Sequence, residues 1–169
     1  MEKSQTDGVV LRIDGEVQRP LALTFADLRA IAAQHQVPDV SQLAPKRSGG
    51  AIRLEGLLAQ AGAKPTGDYL TLHSSTDDFH ASIPLAAVRD RAVLIYRLEN
   101  EPLPIKAGGP VRFFIPDHAA CHAAEVDECA NVKFVDRIEL THGRGHDNRP
   151  TEDEAHAELH RRQEEAGGK

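Results

Sequence analysis

What most restricts the fold of this chain is how short its apolar runs are. Val9-Val10-Leu11-Arg12-Ile13 stops at Asp14-Gly15, Tyr69-Leu70-Thr71-Leu72-His73 gives way to the polar segment Ser74 to Asp78, and Val111-Arg112-Phe113-Phe114-Ile115 stops at Pro116. β-branched and aromatic residues in runs of about five, bounded by turn formers, predict short strands. None of the runs approaches the ~20 apolar residues of a membrane helix. With 169 residues and 40% hydrophobic content, the chain can build one domain with a real core.

Helical signals are few and local. Thr24 followed by Asp27 predicts a capped helix start, with Phe25, Leu28, Ile31 and Ala32 as its apolar stripe, fading before Pro38. Leu54, Leu57, Leu58 and Ala61 share a face, and Gly62 is a helix stop. Pro84 to Val88 is a short helix with proline in its first turn. Further strands are expected around Glu16 to Arg19 (ended by Pro20), over Phe79 to Ile83, Ala92 to Leu98 and Val132 to Leu140. Phe79 to Ile83 pairs with Tyr69 to His73 across a tip containing Asp77 and Asp78. The segment Val37 to Gly50, punctuated by Pro38, Pro45, Gly49 and Gly50, reads as an exposed loop. The fold class is therefore α+β, mixed sheets of short strands with a few short helices.

Charge narrows the function. The net charge of −6 argues against nucleic acid as a partner, because binding a duplex requires a basic surface. Met1 to Gly8 has neither a basic start nor an apolar stretch, so the expectation is a cytoplasmic chain with no membrane association. The expected organisation is an N-terminal arm over 1–8, a domain over 9–141 and a polar, His-rich, partly helical tail over 142–169. In that tail Thr151 and Glu154 form a capping box.

The order of these elements resembles the oxidoreductase molybdopterin-binding domain of the sulfite oxidase family. The resemblance begins at Leu11-Arg12-Ile13-Asp14-Gly15-Glu16-Val17 and Leu23-Thr24-Phe25-Ala26-Asp27-Leu28, and continues through Leu54-Glu55-Gly56-Leu57-Leu58 and Ala81-Ser82-Ile83-Pro84-Leu85. It is firmest at Glu101-Pro102-Leu103-Pro104, Gly109-Pro110-Val111-Arg112, Ile115-Pro116 and Val132-Lys133-Phe134-Val135-Asp136-Arg137-Ile138. It implies that fold, a redox or electron-transfer role, a molybdopterin cofactor and a redox or other partner protein. Arg112 and Lys133 match the family's basic residues toward the pterin's phosphate, for which a guanidinium and an ammonium are suited. The family also supplies a Cys thiolate to the metal from the loop before the second helix. Here that loop, Ser41 to Gly50, contains no Cys. Ala107 stands where a His often precedes the Gly-x-Pro-x-Arg run, and Phe134 stands where the family has Trp.

Both cysteines of the chain lie instead in the acidic segment 117–131, between the two firmest motifs. His118, Cys121, His122 and Cys129 have the nitrogen and sulfur donors of a structural zinc site, and iron or haem is the other metal class they suit. The same residues also describe a solvated helix with a cysteine packed inward, which is the plainer reading, or a redox thiol. His142 with His146, and His156 with His160, also have i, i+4 spacing. Gly143 and Gly145 argue against a helix at the first pair, and the second fits a solvated polar face. The chain thus reads as a divergent molybdopterin-type oxidoreductase domain with the usual ligand Cys absent. The alternative is a non-catalytic module of that fold, which has lost the pterin and binds a metal, haem or partner through 117–131.

Overall fold

The structure is a computed structural model that describes residues 8–45, 47–116 and 132–148. It contains β1 (Val9–Gly15), β2 (Leu21–Thr24), α1 (Phe25–Arg29), β3 (Gln36–Val37), β4 (Gly50–Arg53), α2 (Leu54–Ala61), β5 (Tyr69–Ser74), β6 (Phe79–Pro84), α3 (Leu85–Val88), β7 (Val93–Leu98), β8 (Glu101–Pro102), β9 (Arg112–Phe114) and β10 (Arg137–Thr141). Two five-stranded sheets result. One has the order β2-β1-β10-β5-β6, and the other the order β3-β4-β7-β8 with β9 also paired to β7. Among the described strands only β1 and β10 pair in parallel, which joins the first of them to the last.

Local sequence explains the helix boundaries. The Thr24 hydroxyl accepts from the Asp27 amide at 3.1 Å, and the Asp27 carboxylate accepts from the Thr24 amide at 3.0 Å. This is the reciprocal cap that opens α1. The helix is shorter than its apolar stripe predicts and ends at Arg29. The Gln36 side-chain amide donates to the carbonyls of Leu28 and Ile31, giving them partners outside a continued helix. Helix α2 spans the expected residues and closes on Gly62 at φ +71°, the left-handed conformation that glycine adopts without strain.

Two strand expectations and one loop expectation are corrected. No strand occupies Glu16 to Arg19; β2 follows Pro20 instead. The Gln18 and Arg19 amides donate to the carbonyls of Gly62 and Ala61, so that stretch is spent on the end of α2. Val37 to Gly50 is not simply an exposed loop, because Val37 and Val40 are buried and Val37 lies in β3. The final strand begins at Arg137, not Val132. Phe134 has φ +58° and donates its amide to the Gly108 carbonyl, which breaks the extended run. The hairpin of β5 and β6 forms as read, pairing Leu72 with Ala81 and His73 with His80.

Burial divides the apolar residues into two cores. The larger takes Leu11, Ile13, Leu57, Leu58, Leu70, Leu72 and Ile138 from the first sheet and α2. The smaller packs Val37, Val40, Ala51, Val93, Ile95, Leu103 and Phe114 under the second sheet. Beyond β10, the chain folds back along the outer edge of β6. The His80 amide donates to the Asn148 side chain, the Ser82 amide donates to Asp147, and the Asn148 amide donates to the His80 carbonyl. No helix among the described residues is long and apolar enough to cross a membrane.

Candidate functional site

Strand β9 carries Arg112 at its start, and the turn before it is the sequence Ala107-Gly108-Gly109-Pro110. Gly108 has φ +101°, and a methyl group built on it would lie 3.0 Å from Arg112 Cδ and 3.2 Å from Lys133 Cγ. Two cationic side chains, distant in sequence, therefore run past one glycine. The bond from the Phe134 amide to the Gly108 carbonyl, at 2.8 Å, holds the Lys133 segment there. Lys133 lies in a bend whose flanks are also tied to β9 and the residue before it: the Phe113 amide donates to the Val132 carbonyl at 2.8 Å and the Val135 amide to the Val111 carbonyl at 2.9 Å.

Arg112 also borders a cavity of about 260 Å³ with Arg47, Ser48 and Lys106, over a floor that includes Ile95 and Leu103. The floor belongs to the smaller core. No carboxylate borders the cavity among the described residues. Burial, and then the charge of Arg47, push the Arg112 guanidinium below its ordinary value. An arginine nonetheless keeps its charge in a protein, so the cavity stays cationic. Arg112 Nη1 donates to the Ala107 carbonyl at 3.3 Å, while Arg112 Nε is buried without a partner among the described residues. Leaving a buried donor unpaired costs about 1–3 kcal/mol, more for a charged group. Together these features describe an anion site.

A second cavity, of about 310 Å³, lies beside Arg12, Ser75, Asp136 and Arg137. Its charges are mixed. Arg137 is already engaged by Asp14 at 3.0 Å and by Glu139 at 3.6 Å, so it offers an anion much less.

The model of the family described as "Oxidoreductase molybdopterin binding domain" matches residues 49–148, more than half of the chain. The chain belongs to that family. The match covers the second helix, both strands beside the basic cavity, and the turn that carries Lys133. Among solved structures, the chain is similar to the sulfane dehydrogenase SoxCD from Paracoccus pantotrophus, with a TM-score of 0.60 and 23% identity over 85% of this chain. That likeness establishes the shared fold, and the chain spans 40% of the length of the SoxCD chain it matches. A comparison with curated protein sequences finds no match.

For a molybdopterin-binding domain, the cationic cavity suits the cofactor's phosphate end. The described residues offer no sulfur donor to its metal end, because both cysteines fall outside them. His118, Cys121, His122 and Cys129, the candidate metal set, all lie outside the described residues, as do His156 and His160. Among the described residues no group of three or more His, Cys, Asp or Glu side chains is arranged to hold a metal. His142 and His146 go to different places: His142 Nδ1 meets the Thr66 carbonyl at 3.1 Å, and the His146 ring packs 4.3 Å from that of His80.

Sequence reading missed Arg47 and Lys106. Lys106 sits directly before the Ala107-Gly108-Gly109 turn, so its proximity to Arg112 had a local signal. Arg47 had none. Its place depends on the fold of the 38–49 loop over Phe114, where its guanidinium lies 5.1 Å from the ring centroid.

Proposed function

We propose that this domain holds a molybdopterin-type cofactor by its phosphate, between Arg112 and Lys133, and serves an oxidation–reduction reaction with a partner protein. The supporting observation is that the Arg112 and Lys133 side chains both pass Gly108, beside a cavity bordered by Arg47, Lys106 and Arg112, though not by Lys133, and by no described carboxylate. A dianionic phosphate at this position would offset the burial of Arg112 and the repulsion from Arg47. Glycine at 108 lets both side chains pass close by, where a Cβ would crowd them. When bound, the molybdenum centre supplies oxygen-atom or electron transfer. The protein's own contribution, on this reading, is to bind and orient the cofactor's anionic end. The thiolate that other members offer the metal has no counterpart in Ser41 to Gly50, so this member is divergent at the metal end.

The test is to purify the full chain from a host that makes the cofactor, and to measure molybdenum and pterin per protein. Stoichiometric pterin in the wild type, lost in Arg112→Ala and reduced in Lys133→Ala, is the expected result. Zinc or iron without pterin would overturn it in favour of a non-catalytic module that binds metal, haem or a partner through 117–131. In that case Cys121→Ala combined with Cys129→Ala abolishes the metal, and His118 and His122 complete the ligand set. Protein free of pterin and of metal would overturn both.

A further inference from the structure

We propose that Arg47 determines the specificity of the basic cavity, forming with Arg112 a two-arginine clamp for a dianionic phosphate monoester. The proposal takes the site from the reading above but adds a residue and a ligand class to it. Arg112 and Phe114 are two residues apart on β9, so they project from the same face of the strand. The Arg47 guanidinium packs on the Phe114 ring at 5.1 Å and borders the same cavity as Arg112. Stacking on an aromatic face is a favoured setting for a guanidinium and leaves its edge donors free for a ligand.

The loop holds Arg47 there by backbone contacts. The Val40 amide donates to the Gly49 carbonyl at 2.8 Å and closes the loop, and the Arg47 amide donates to the Ala44 carbonyl at 2.8 Å. Fully buried Val40 fastens the loop to the smaller core. Two guanidiniums above an apolar floor repel each other more than they would in water, unless an anion lies between them. Their planar forks match the oxygens of a tetrahedral phosphate, and Ser48 adds a neutral donor at the same cavity. The volume, about 260 Å³, is below the ~300–1,000 Å³ of pockets that enclose a whole drug-sized ligand. The cavity therefore suits one charged end of a ligand, with the remainder of the molecule outside.

The phosphate can be carried by the organic cofactor or by a free small phosphate, and the experiment separates these sources. Inorganic phosphate is titrated calorimetrically at low salt into the full chain made in a host without the cofactor, using wild type, Arg47→Ala, Arg47→Lys and, as a remote control, Lys64→Ala. Saturable binding in wild type and Lys64→Ala is expected. It should be weakened about tenfold or more in Arg47→Ala and partly restored in Arg47→Lys, which returns the charge without the fork. Circular dichroism and melting curves show whether Arg47→Ala is folded, and Arg47→Lys carries the comparison if it is not. No saturable binding in wild type, or equal binding in folded Arg47→Ala, overturns the clamp. Pterin content is measured on the same variants made in a host that supplies the cofactor. Phosphate binding that depends on Arg47, in a wild type without pterin, upholds the clamp and removes the cofactor reading, leaving a free phosphate ester as the ligand. Pterin in wild type with phosphate binding indifferent to Arg47 removes the clamp and leaves the cofactor reading standing. Pterin lost together with phosphate binding in Arg47→Ala upholds the clamp and identifies the cofactor as the carrier.

Discussion

His73 Nδ1 and His80 Nδ1 lie 2.7 Å apart, paired across the β5–β6 hairpin. Each ring's other nitrogen faces a carboxylate: His73 Nε2 meets Glu139 at 3.0 Å, and His80 Nε2 meets Asp78 at 3.0 Å. The Nδ1 contact is a hydrogen bond only when a single proton lies between the rings, so one Nδ1 donates and the other accepts. Long-range nitrogen–proton NMR should therefore find unlike Nδ1 environments for the two rings. Equivalent environments would remove the hydrogen bond. Because His73 is buried and bonded at both nitrogens, His73→Ala should destabilise the fold by about 1–3 kcal/mol in denaturant titrations.

Arg112 Nε, buried with no partner among the described residues, makes a separate prediction about stability. Anion binding to the folded state raises the melting temperature by mass action, and phosphate at tenfold its Kd contributes about 1.4 kcal/mol. Arg112→Met keeps the aliphatic stem and removes the buried charge. Its melting temperature should not respond to phosphate, whereas that of wild type rises. A matching rise in the variant would detach Arg112 from the site.

The reciprocal cap at the start of α1 is testable by a double-mutant cycle. Thr24→Ala should cost about 0.5–2 kcal/mol. Thr24→Ala combined with Asp27→Ala should cost less than the sum of the single changes, because both remove the same reciprocal pair. Additive losses in urea denaturation would show that the two hydrogen bonds act independently.

Asp39 supplies the acid-dependent prediction. Hydrogen bonds from the Ser41 hydroxyl and then the Ser41 amide hold its carboxyl below the ordinary value of 3.8. A depressed carboxyl contributes stability above its unfolded value, and that contribution is lost as pH falls through the folded-state value. Ser41→Ala removes the larger of the two bonds. The variant should be slightly less stable than wild type at neutral pH, and the difference should close in acid once Asp39 is protonated in both. A difference that persists unchanged in strong acid would assign the effect to packing.

What the sequence disclosed and what it concealed divide along a physical line. The Thr24–Asp27 cap, the Gly62 stop and the hairpin tip at Asp77 and Asp78 are settled by residues within a few positions of one another, and all three formed. The early end of α1, the absence of a strand at Glu16 to Arg19 and the late start of β10 follow from distant partners: Gln36, the end of α2 and the Gly108 carbonyl. Arg112 and Lys133 stood out as candidates because each stands in a motif that matches the family, and of the two Arg112 borders the basic cavity. Arg47 was not, because nothing local in Pro45-Lys46-Arg47-Ser48 foretells that the loop will lay that guanidinium on Phe114.

The segment that runs back along β6 has a consequence for where this domain can be shortened. β6 ends its sheet, and an uncovered sheet edge is a template for other chains. Asp147 and Asn148 occupy the outward amides of Ser82 and His80 with side chains, in place of another strand. A chain ending at Thr141 would keep every described strand of both sheets and still lose its own insulation, and self-association would be its symptom.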